Sequence, residues 1–297
     1  MRATTAISFA VLCLAAPATA QTIYPIDRAD ILAGSHFDFK VEFPGLQKAD
    51  VPVTVNGEPY AKVLGGAGTF IEREDGKDQS ALVLRDVSLK PGAYTVKAGT
   101  ASVTWNVYTT GPRKAKNVIL FIGDGLSPAH RVAARLLSKG IDQGKSLGKL
   151  AIDDMPHMAL VATAGSDSII TDSANSASAY ATGHKSAVNA MGVYADRSAN
   201  PFDDPKVEPI AKLVKRRTDL AVGIVTTTEI EDATPAAMAT HTRRRATYDQ
   251  IVEQYFDVKP DVLMGGGLAN FLPKDAAGSK RKDSTDYLAK FKEAGYR

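Results

Sequence analysis

The first segment that could do chemistry is a carboxylate held between two glycines. Asp124 follows the apolar run 118–122, and Gly123 and Gly125 flank it. In an open α/β sheet a ligand lies beyond the carboxyl ends of the strands, and glycines let it approach the backbone. A carboxylate in that place suits a hard or borderline divalent cation. The alternative is an aspartate that caps the following helix or turn.

The second segment places a hydroxyl at the start of a helix of small residues. Thr171 and Asp172 precede Ser173, and small, nearly uncharged side chains continue to Gly183. The free N–H groups and positive dipole at such a helix start favour a phosphate. A serine hydroxyl is a weak nucleophile, and with no histidine beside Ser173 a metal ion would have to activate it. The alternative is that Ser173 only caps the helix.

The third segment follows another apolar run, at 221–226. Asp232 and Thr234 offer oxygen ligands of the kind that Mg²⁺ uses. Arg245 stands thirteen residues past Asp232 and could grip a phosphate through two N–H groups. The alternative is a helix cap at Thr234 followed by a solvated basic run, 243–245.

The elements that position these segments are strands alternating with helices. Apolar runs predict buried strands at 118–122, 221–226 and 261–264. Helix start and stop signals, or helical patterning, predict helices at 127–140, 173–183, 207–217 and 284–293. This alternation predicts an α/β fold, with a mostly parallel sheet and helices on both of its faces.

A different pattern precedes these elements. Between about residues 30 and 108, apolar and polar residues alternate with a period of two, and turn signals separate the runs. This predicts a small all-β sandwich, immunoglobulin-like, over 21–110, with the second domain over 111–297. The first of these domains contains no group of chemically useful side chains, so we interpret it as a packing module.

The first twenty residues are typical of a secretory signal. Arg2 is followed by a short apolar run, 7–16, and then by a small-residue cleavage site, 18–20. We therefore expect a periplasmic or secreted protein whose mature chain begins near Gln21, with no membrane span. The single cysteine, Cys13, lies in this signal, so disulfides and thiol chemistry are not expected. The net charge of +3 gives no reason to expect a nucleic-acid partner.

Four segments in order resemble the alkaline phosphatase family. They are 123–125, 171–174, 232–237 with Arg245 beyond it, and 261–267, and the resemblance covers roughly 116–297. It implies that Ser173 is the nucleophile of a phosphate monoester hydrolase and forms a phosphoserine. It also implies that Arg245 binds two phosphate oxygens and that Asp172 orients it.

The resemblance also implies the cofactors, two Zn²⁺ and one Mg²⁺. Asp124 would bridge a zinc and the magnesium, the Ser173 oxygen would face a zinc, and Asp232 and Thr234 would complete part of the magnesium shell. The implied partners are phosphate monoesters and inorganic phosphate, and the resemblance leaves room for a homodimer. It does not define the natural substrate or the oligomeric state.

The chain departs from the family's pattern in its histidines. None of the five occupies a zinc-ligand position of the family, and most zinc ligands are expected beyond the glycines 265–267. We therefore expect the second domain to be incomplete at its C-terminus and the 297-residue chain to hydrolyse little or nothing by itself.

Two alternative functions stay open. One is a phosphodiesterase or sulfatase-like hydrolase of the same superfamily, although such enzymes usually carry threonine or a modified residue where Ser173 stands. The other is a secreted, non-catalytic phosphate-binding protein.

Overall fold

The computed structural model describes residues 21–48 and 51–297, so the predicted signal sequence and Cys13 lie outside the described residues. In these ranges the strands are β1 (Thr22–Tyr24), β2 (Ala29–Leu32), β3 (Phe37–Phe43), β4 (Val53–Val55), β5 (Glu58–Pro59), β6 (Thr69–Ile71), β7 (Ser80–Val87), β8 (Gly92–Ala98), β9 (Ala101–Tyr108), β10 (Ile141–Asp142), β11 (Lys145–Ser146), β12 (Gly223–Glu229) and β13 (Val262–Gly266). The helices are α1 (Tyr60–Leu64), α2 (Pro128–Lys139), α3 (Ser173–Thr182), α4 (Ile210–Arg217), α5 (Ala233–Ala236), α6 (Tyr248–Val258) and α7 (Tyr287–Glu293). None of these described helices is long and apolar enough to cross a membrane.

Residues 22–108 form two β-sheets, which we call the N-terminal sheets. One has the strand order β1–β3–β7–β6 with antiparallel neighbours. The other has the order β2–β9–β8–β4–β5, in which β2 and β9 are parallel and the other pairs antiparallel. Period-two patterning explains β9, where Val103, Trp105 and Val107 are buried and their neighbours are not.

The two N-terminal sheets share one apolar cluster. Phe39 from one sheet and Trp105 from the other lie in it with an edge-to-face ring contact of 6.0 Å. The indole nitrogen of Trp105 is satisfied, because it donates to the Pro25 carbonyl at 2.9 Å. Tyr194 and Val207, from much later in the chain, belong to the same cluster. The N-terminal sheets are therefore packed directly against the second half of the chain.

Strand β3 departs from the alternating pattern, because all seven of its residues are buried. Its apolar side chains lie in the shared cluster, and its polar ones, including Lys40 and Glu42, are covered as well. The cover comes from Asp196 and Arg197, which bond to these two residues. Alternation of residue type predicts the strand but not the burial of its polar face.

The C-terminal region, 111–297, combines a parallel strand pair with helices. Strands β12 and β13 pair in parallel, and a second apolar cluster joins them to α3, α5, α6 and α7. The predicted helices at 127–140, 173–183, 207–217 and 284–293 are present with slightly different bounds, as are the strands predicted at 221–226 and 261–264. These two strands were predicted to be buried, and that part is wrong, because most of their residues are not and Val225 and Met264 are 67% and 60% exposed. The chain therefore has an α/β fold. In the described part of this region, parallel pairing is limited to β12 and β13, so the wider sheet stays a prediction.

The prediction of a buried strand at 118–122 is wrong. Residues 117–123 have no strand pairing, and Val118 and Phe121 are 84% and 88% exposed. A strand needs a neighbour that donates and accepts along its edge. No described strand lies beside this run, so its apolar side chains face outward.

Candidate active site

Ser173 is the first residue of helix α3, and the helix is capped by the residue before it. Asp172 Oδ1 accepts from the Asn175 amide at 3.0 Å, while Asn175 Oδ1 accepts from the Asp172 amide at 3.0 Å. This reciprocal capping box satisfies two backbone donors at the helix start, the amides of Asp172 and Asn175. Capping is therefore not the role of Ser173, and its hydroxyl is available for another contact.

That contact is with Asp124, which lies between two hydroxyl groups. Ser173 Oγ donates to Asp124 Oδ1 at 2.9 Å, and Thr234 Oγ1 donates to Asp124 Oδ2 at 2.8 Å. Helix α2 is capped by Ser127 instead, whose hydroxyl accepts from the His130 amide. The capping alternative for Asp124 is therefore wrong, and the structure joins three sequence-distant segments at one carboxylate.

Arg245 lies beside this group and links two further carboxylates. Its Nη1 donates to Asp172 Oδ2 at 3.3 Å and its Nη2 donates to Asp232 Oδ1 at 2.7 Å. Partial burial opposes its charge, but the hydrogen bonds and charges of Asp232 and Asp172 outweigh this and raise the pKa of Arg245. The guanidinium is thus held as a cation next to the Ser173 helix.

Asp232 begins helix α5, where it accepts from the Ala233 amide at 2.7 Å. The cap of this helix is therefore Asp232 and not Thr234, whose hydroxyl points to Asp124 instead. Asp124, Ser173 and Thr234 form a group of oxygen donors, with Asp232 joined to it through α5. Carboxylate and hydroxyl oxygens are the ligands of hard divalent cations, so this donor set fits Mg²⁺.

Two of the five histidines are engaged elsewhere. His184 Nδ1 lies 2.6 Å from the Tyr194 hydroxyl, and His241 Nε2 lies 3.1 Å from the Val207 carbonyl oxygen. Burial lowers the pKa of His184 to about 4 and, with the charges of two nearby lysines, that of His241 to about 3. Both are neutral at physiological pH and serve the packing of the chain. The imidazole ligands that zinc prefers are therefore not supplied to Asp124 by these two residues.

The sequence of the C-terminal region matches a known family. The model of the family described as alkaline phosphatase matches residues 115–297, which is more than half of the chain. The chain belongs to the alkaline phosphatase family. The match includes every residue of the candidate site and leaves the N-terminal sheets outside it.

The chain is similar to individual alkaline phosphatases over part of its length. Alkaline phosphatase H of Pseudomonas aeruginosa is 35% identical over 210 residues, covering 62% of this chain and 41% of its own length. The alkaline phosphatase of Escherichia coli is 33% identical over 192 residues, covering 56% of this chain and 38% of its own. Among solved structures, the cold-active alkaline phosphatase of Shewanella sp. aligns with a TM-score of 0.47 at 27% identity, covering 59% of this chain and 39% of that one. The chain spans about two fifths of the length of the curated relatives it matches.

A second group of acidic residues in this chain resembles a metal site but holds an ammonium. Glu42, Glu74 and Asp196 are buried, and their oxygens lie within 4.8 Å of one another. Lys40 Nζ lies among them, 2.5 Å from Glu74, 2.6 Å from Asp196 and 3.6 Å from Glu42. We name these four residues the Lys40 cluster. Lys40 balances one of the three carboxylates, while Arg197 lies 2.7 Å from Glu74 and Arg243 lies 3.7 Å from Asp196. Side-chain cations of the protein therefore stand where a metal ion would bind.

Three residues that support the site were missed by the sequence reasoning. Asn175 completes the capping box, and Asn189 donates its amide to Asp172 Oδ2 at 3.2 Å. Arg243 has a side chain that is only 17% exposed and lies 3.4 Å from Asp204 Oδ1, so the alternative of a solvated basic run is wrong at this residue. The capping position of Asn175, three residues after Asp172, is the one signal that could have been found.

Proposed function

We propose that this chain contributes the nucleophile, the phosphate-binding arginine and part of the metal site of a phosphate monoester hydrolase. The observation that carries the proposal is the 2.9 Å contact between Ser173 Oγ and Asp124 Oδ1 beside the Arg245 guanidinium. Membership of the alkaline phosphatase family supports it.

In the proposed reaction, Ser173 Oγ attacks the phosphorus of the monoester. The new O–P bond forms as the bond to the leaving alkoxide breaks; the hydroxyl proton is released, and the alkoxide takes a proton from solvent. Water then attacks the same phosphorus as the Ser173 O–P bond breaks, so inorganic phosphate is released and a proton from the water returns to Ser173 Oγ. The helix start at Ser173 offers free N–H groups to the phosphoryl oxygens.

Arg245 is proposed to bind two phosphoryl oxygens. Its two terminal nitrogens face Asp172 and Asp232, so the guanidinium plane is already oriented in the structure. A planar guanidinium matches phosphate geometry and stabilises charge that develops in the transition state. Asp172 is proposed to orient it without touching substrate.

Asp124, Ser173, Asp232 and Thr234 are proposed to hold metal ions, two Zn²⁺ and one Mg²⁺ in the complete site. The oxygen donor set around Asp124 supports the magnesium part. Bound metals would stabilise the alkoxide forms of the nucleophile and of the leaving group. Since the described residues supply few zinc ligands, the 297-residue chain is proposed to hydrolyse little by itself.

The remaining assignments are proposals as well. The domain boundaries are placed at 21–110 and 111–297, the first domain being an immunoglobulin-like β-sandwich that follows a signal over 1–20. The protein is placed in the periplasm or outside the cell, and a homodimer is compatible with the family. The mostly parallel sheet, with helices on both faces, is proposed for the second domain.

The test is phosphorylation of the chain. The chain is incubated with 4-nitrophenyl phosphate, Zn²⁺ and Mg²⁺, quenched in acid and examined by mass spectrometry. We expect a phosphate on Ser173 and slow nitrophenol release, both lost in Ser173→Ala. Ser176→Ala, one turn further along the same helix, is the control and should retain both.

Several results would count against the proposal. Phosphorylation at another residue, or nitrophenol release that survives Ser173→Ala, would remove Ser173 from the reaction. Rapid turnover by the native chain would overturn the expectation of low activity. Faster release from bis(4-nitrophenyl) phosphate than from the monoester would favour the phosphodiesterase alternative.

A further inference from the structure

The Lys40 cluster joins the N-terminal sheets to the C-terminal region. Lys40 is 2% exposed on β3, and Asp196 comes from the far side of the interface with its side chain fully buried. Arg197, next to Asp196, donates to Glu74 at 2.7 Å and to the Phe43 carbonyl at 2.8 Å. Buried charges of this kind are tolerated only while each has its partner.

Segment 196–198 bonds on its other side to Arg243. Arg243 Nη1 donates to the Asp196 carbonyl at 2.7 Å, and Nη2 donates to the Ser198 carbonyl at 2.5 Å. Nη1 also lies 3.7 Å from Asp196 Oδ1. Asp196 therefore stands between two cations, Lys40 on one side and Arg243 on the other.

Arg243 is two residues from Arg245, and backbone hydrogen bonds hold this stretch of chain at Thr242 and at Arg245. Thr242 and Met191 exchange two backbone hydrogen bonds, at 2.8 and 2.9 Å. The Arg245 amide donates to the Asn189 carbonyl at 2.9 Å. The side chain of Arg243 thus anchors the same short segment from which Arg245 reaches Asp172.

We propose that Lys40 is a positioning residue for Arg245, acting through Asp196 and Arg243. The proposal rests on the proposed role of Arg245 as the phosphate-binding residue. Without Lys40, the buried Asp196 carboxylate loses a counter-charge and draws segment 196–198 toward water. Arg243 then loses its acceptors, and the Arg245 segment opens. The N-terminal sheets thereby contribute to the geometry of the site.

Hydrogen exchange followed by NMR of the 297-residue chain tests this. In Lys40→Met, the amides of Thr242 and Arg245 should exchange about a hundredfold faster or more, as expected from breaking a buried pair. Amides of helix α6, such as that of Tyr255, should keep their native rates. Lys62→Met removes an exposed lysine that pairs with Glu58 and is the matched control, with no change expected.

A charge rescue separates positioning from general destabilisation. Adding Asp196→Asn to Lys40→Met removes the carboxylate that links the lost ammonium to segment 196–198 and should return the Arg245 amide toward its native exchange rate. Native exchange in Lys40→Met, or failure of the rescue, would overturn the proposal.

If Lys40→Met does not fold, the native chain itself gives the answer. In low denaturant, the Arg245 amide should open together with the amides of β3, and separate opening at lower denaturant would contradict the proposal. These exchange rates need no phosphatase activity. Suppose that the Arg245 amide still depends on Lys40 but the chain is never phosphorylated on Ser173. This result would contradict the proposed function and leave the positioning role of Lys40 intact.

Discussion

Asp172 and Arg245 lie 73 positions apart in the chain, and Arg245 Nη1 donates to Asp172 Oδ2 across 3.3 Å. The other oxygen of the same carboxylate accepts from the Asn175 amide at 3.0 Å and so starts helix α3. One side chain therefore fixes the helix that carries Ser173 and the guanidinium that faces it. Replacing Asp172 should therefore have two effects, one on the helix cap and one on the orientation of Arg245.

Replacing Asp172 should cost both stability and phosphate affinity. Asp172→Ala removes the helix cap and should lower the free energy of unfolding by about 1 kcal/mol. Asp172→Asn keeps an oxygen acceptor at the cap and should lower it less, while both variants weaken phosphate binding. Urea unfolding and titration calorimetry with phosphate and Mg²⁺ measure the two effects.

Asp286→Ala is the matched control for Asp172→Ala. Asp286 caps helix α7 through a 2.9 Å bond from the Ala289 amide, outside the candidate site. The Asp286→Ala variant should lose a similar free energy of unfolding and keep the phosphate affinity of the native chain. Equal weakening of phosphate binding in both variants would contradict the orienting role of Asp172.

Magnesium should stabilise the chain through Asp124. A cation that binds only the folded state, at a free concentration a hundred times its dissociation constant, adds about 2.7 kcal/mol to the free energy of unfolding. We expect the melting temperature to rise with Mg²⁺ and the rise to vanish in Asp124→Asn. Asp154→Asn, at an exposed aspartate paired with Lys149, should keep the rise, and its loss there would point to unspecific binding.

Gly267 should not tolerate a side chain. Its φ is +100°, and a Cβ would lie 1.9 Å from the buried Glu231 Oε2. Gly267→Ala should therefore lower the free energy of unfolding by about 2–4 kcal/mol, the sum of backbone strain and overpacking. Gly278 also has a positive φ, of +81°, but open space around it, so Gly278→Ala isolates the strain alone. Equal losses in the two variants by urea unfolding would show that the contact with Glu231 is unimportant.

Asp204 should make stability depend on pH. Burial raises the pKa of Asp204 to about 7, and its Oδ2 has no hydrogen-bond partner among the described residues. The folded state then holds a proton that the unfolded state releases near pH 4, so this contribution to stability falls as pH rises toward 7. Asp204→Asn lacks this proton equilibrium.

The stability gained by Asp204→Asn, relative to the native chain, should grow from pH 4 to 7 and then level off. Urea unfolding of both proteins across this range measures the difference in the free energy of unfolding. The buried histidines contribute equally to both proteins, so their pH dependence drops out of this difference. A constant difference, or one that shrinks as pH rises, would contradict the raised pKa.

Local signals were sufficient for several elements. Ser127, Pro128 and Gly140 mark the ends of α2, and the structure places that helix at Pro128–Lys139. The site residues were gathered by the family resemblance and by the rule that ligands lie at strand ends. The contact between Asp124 and Thr234 joins residues 110 positions apart, so it can be seen only in the folded structure.

The failures have physical causes. The run 118–122 has the composition of a buried strand, but composition does not supply the neighbour that a strand needs. Lys40 stands at a polar position of an alternating strand, where solvent exposure is the usual outcome. Its burial depends on Asp196, which lies 156 positions further along the chain. Pairings at such a distance leave no local trace in the sequence.

Tyr194 and Val207 complete the apolar cluster of the N-terminal sheets, and Val207 forms a β-bridge with Phe37. The two halves therefore share an interior and cannot be exchanged as independent modules. A chimera that keeps the C-terminal region and takes its first hundred residues from a relative would need a matching surface for both side chains.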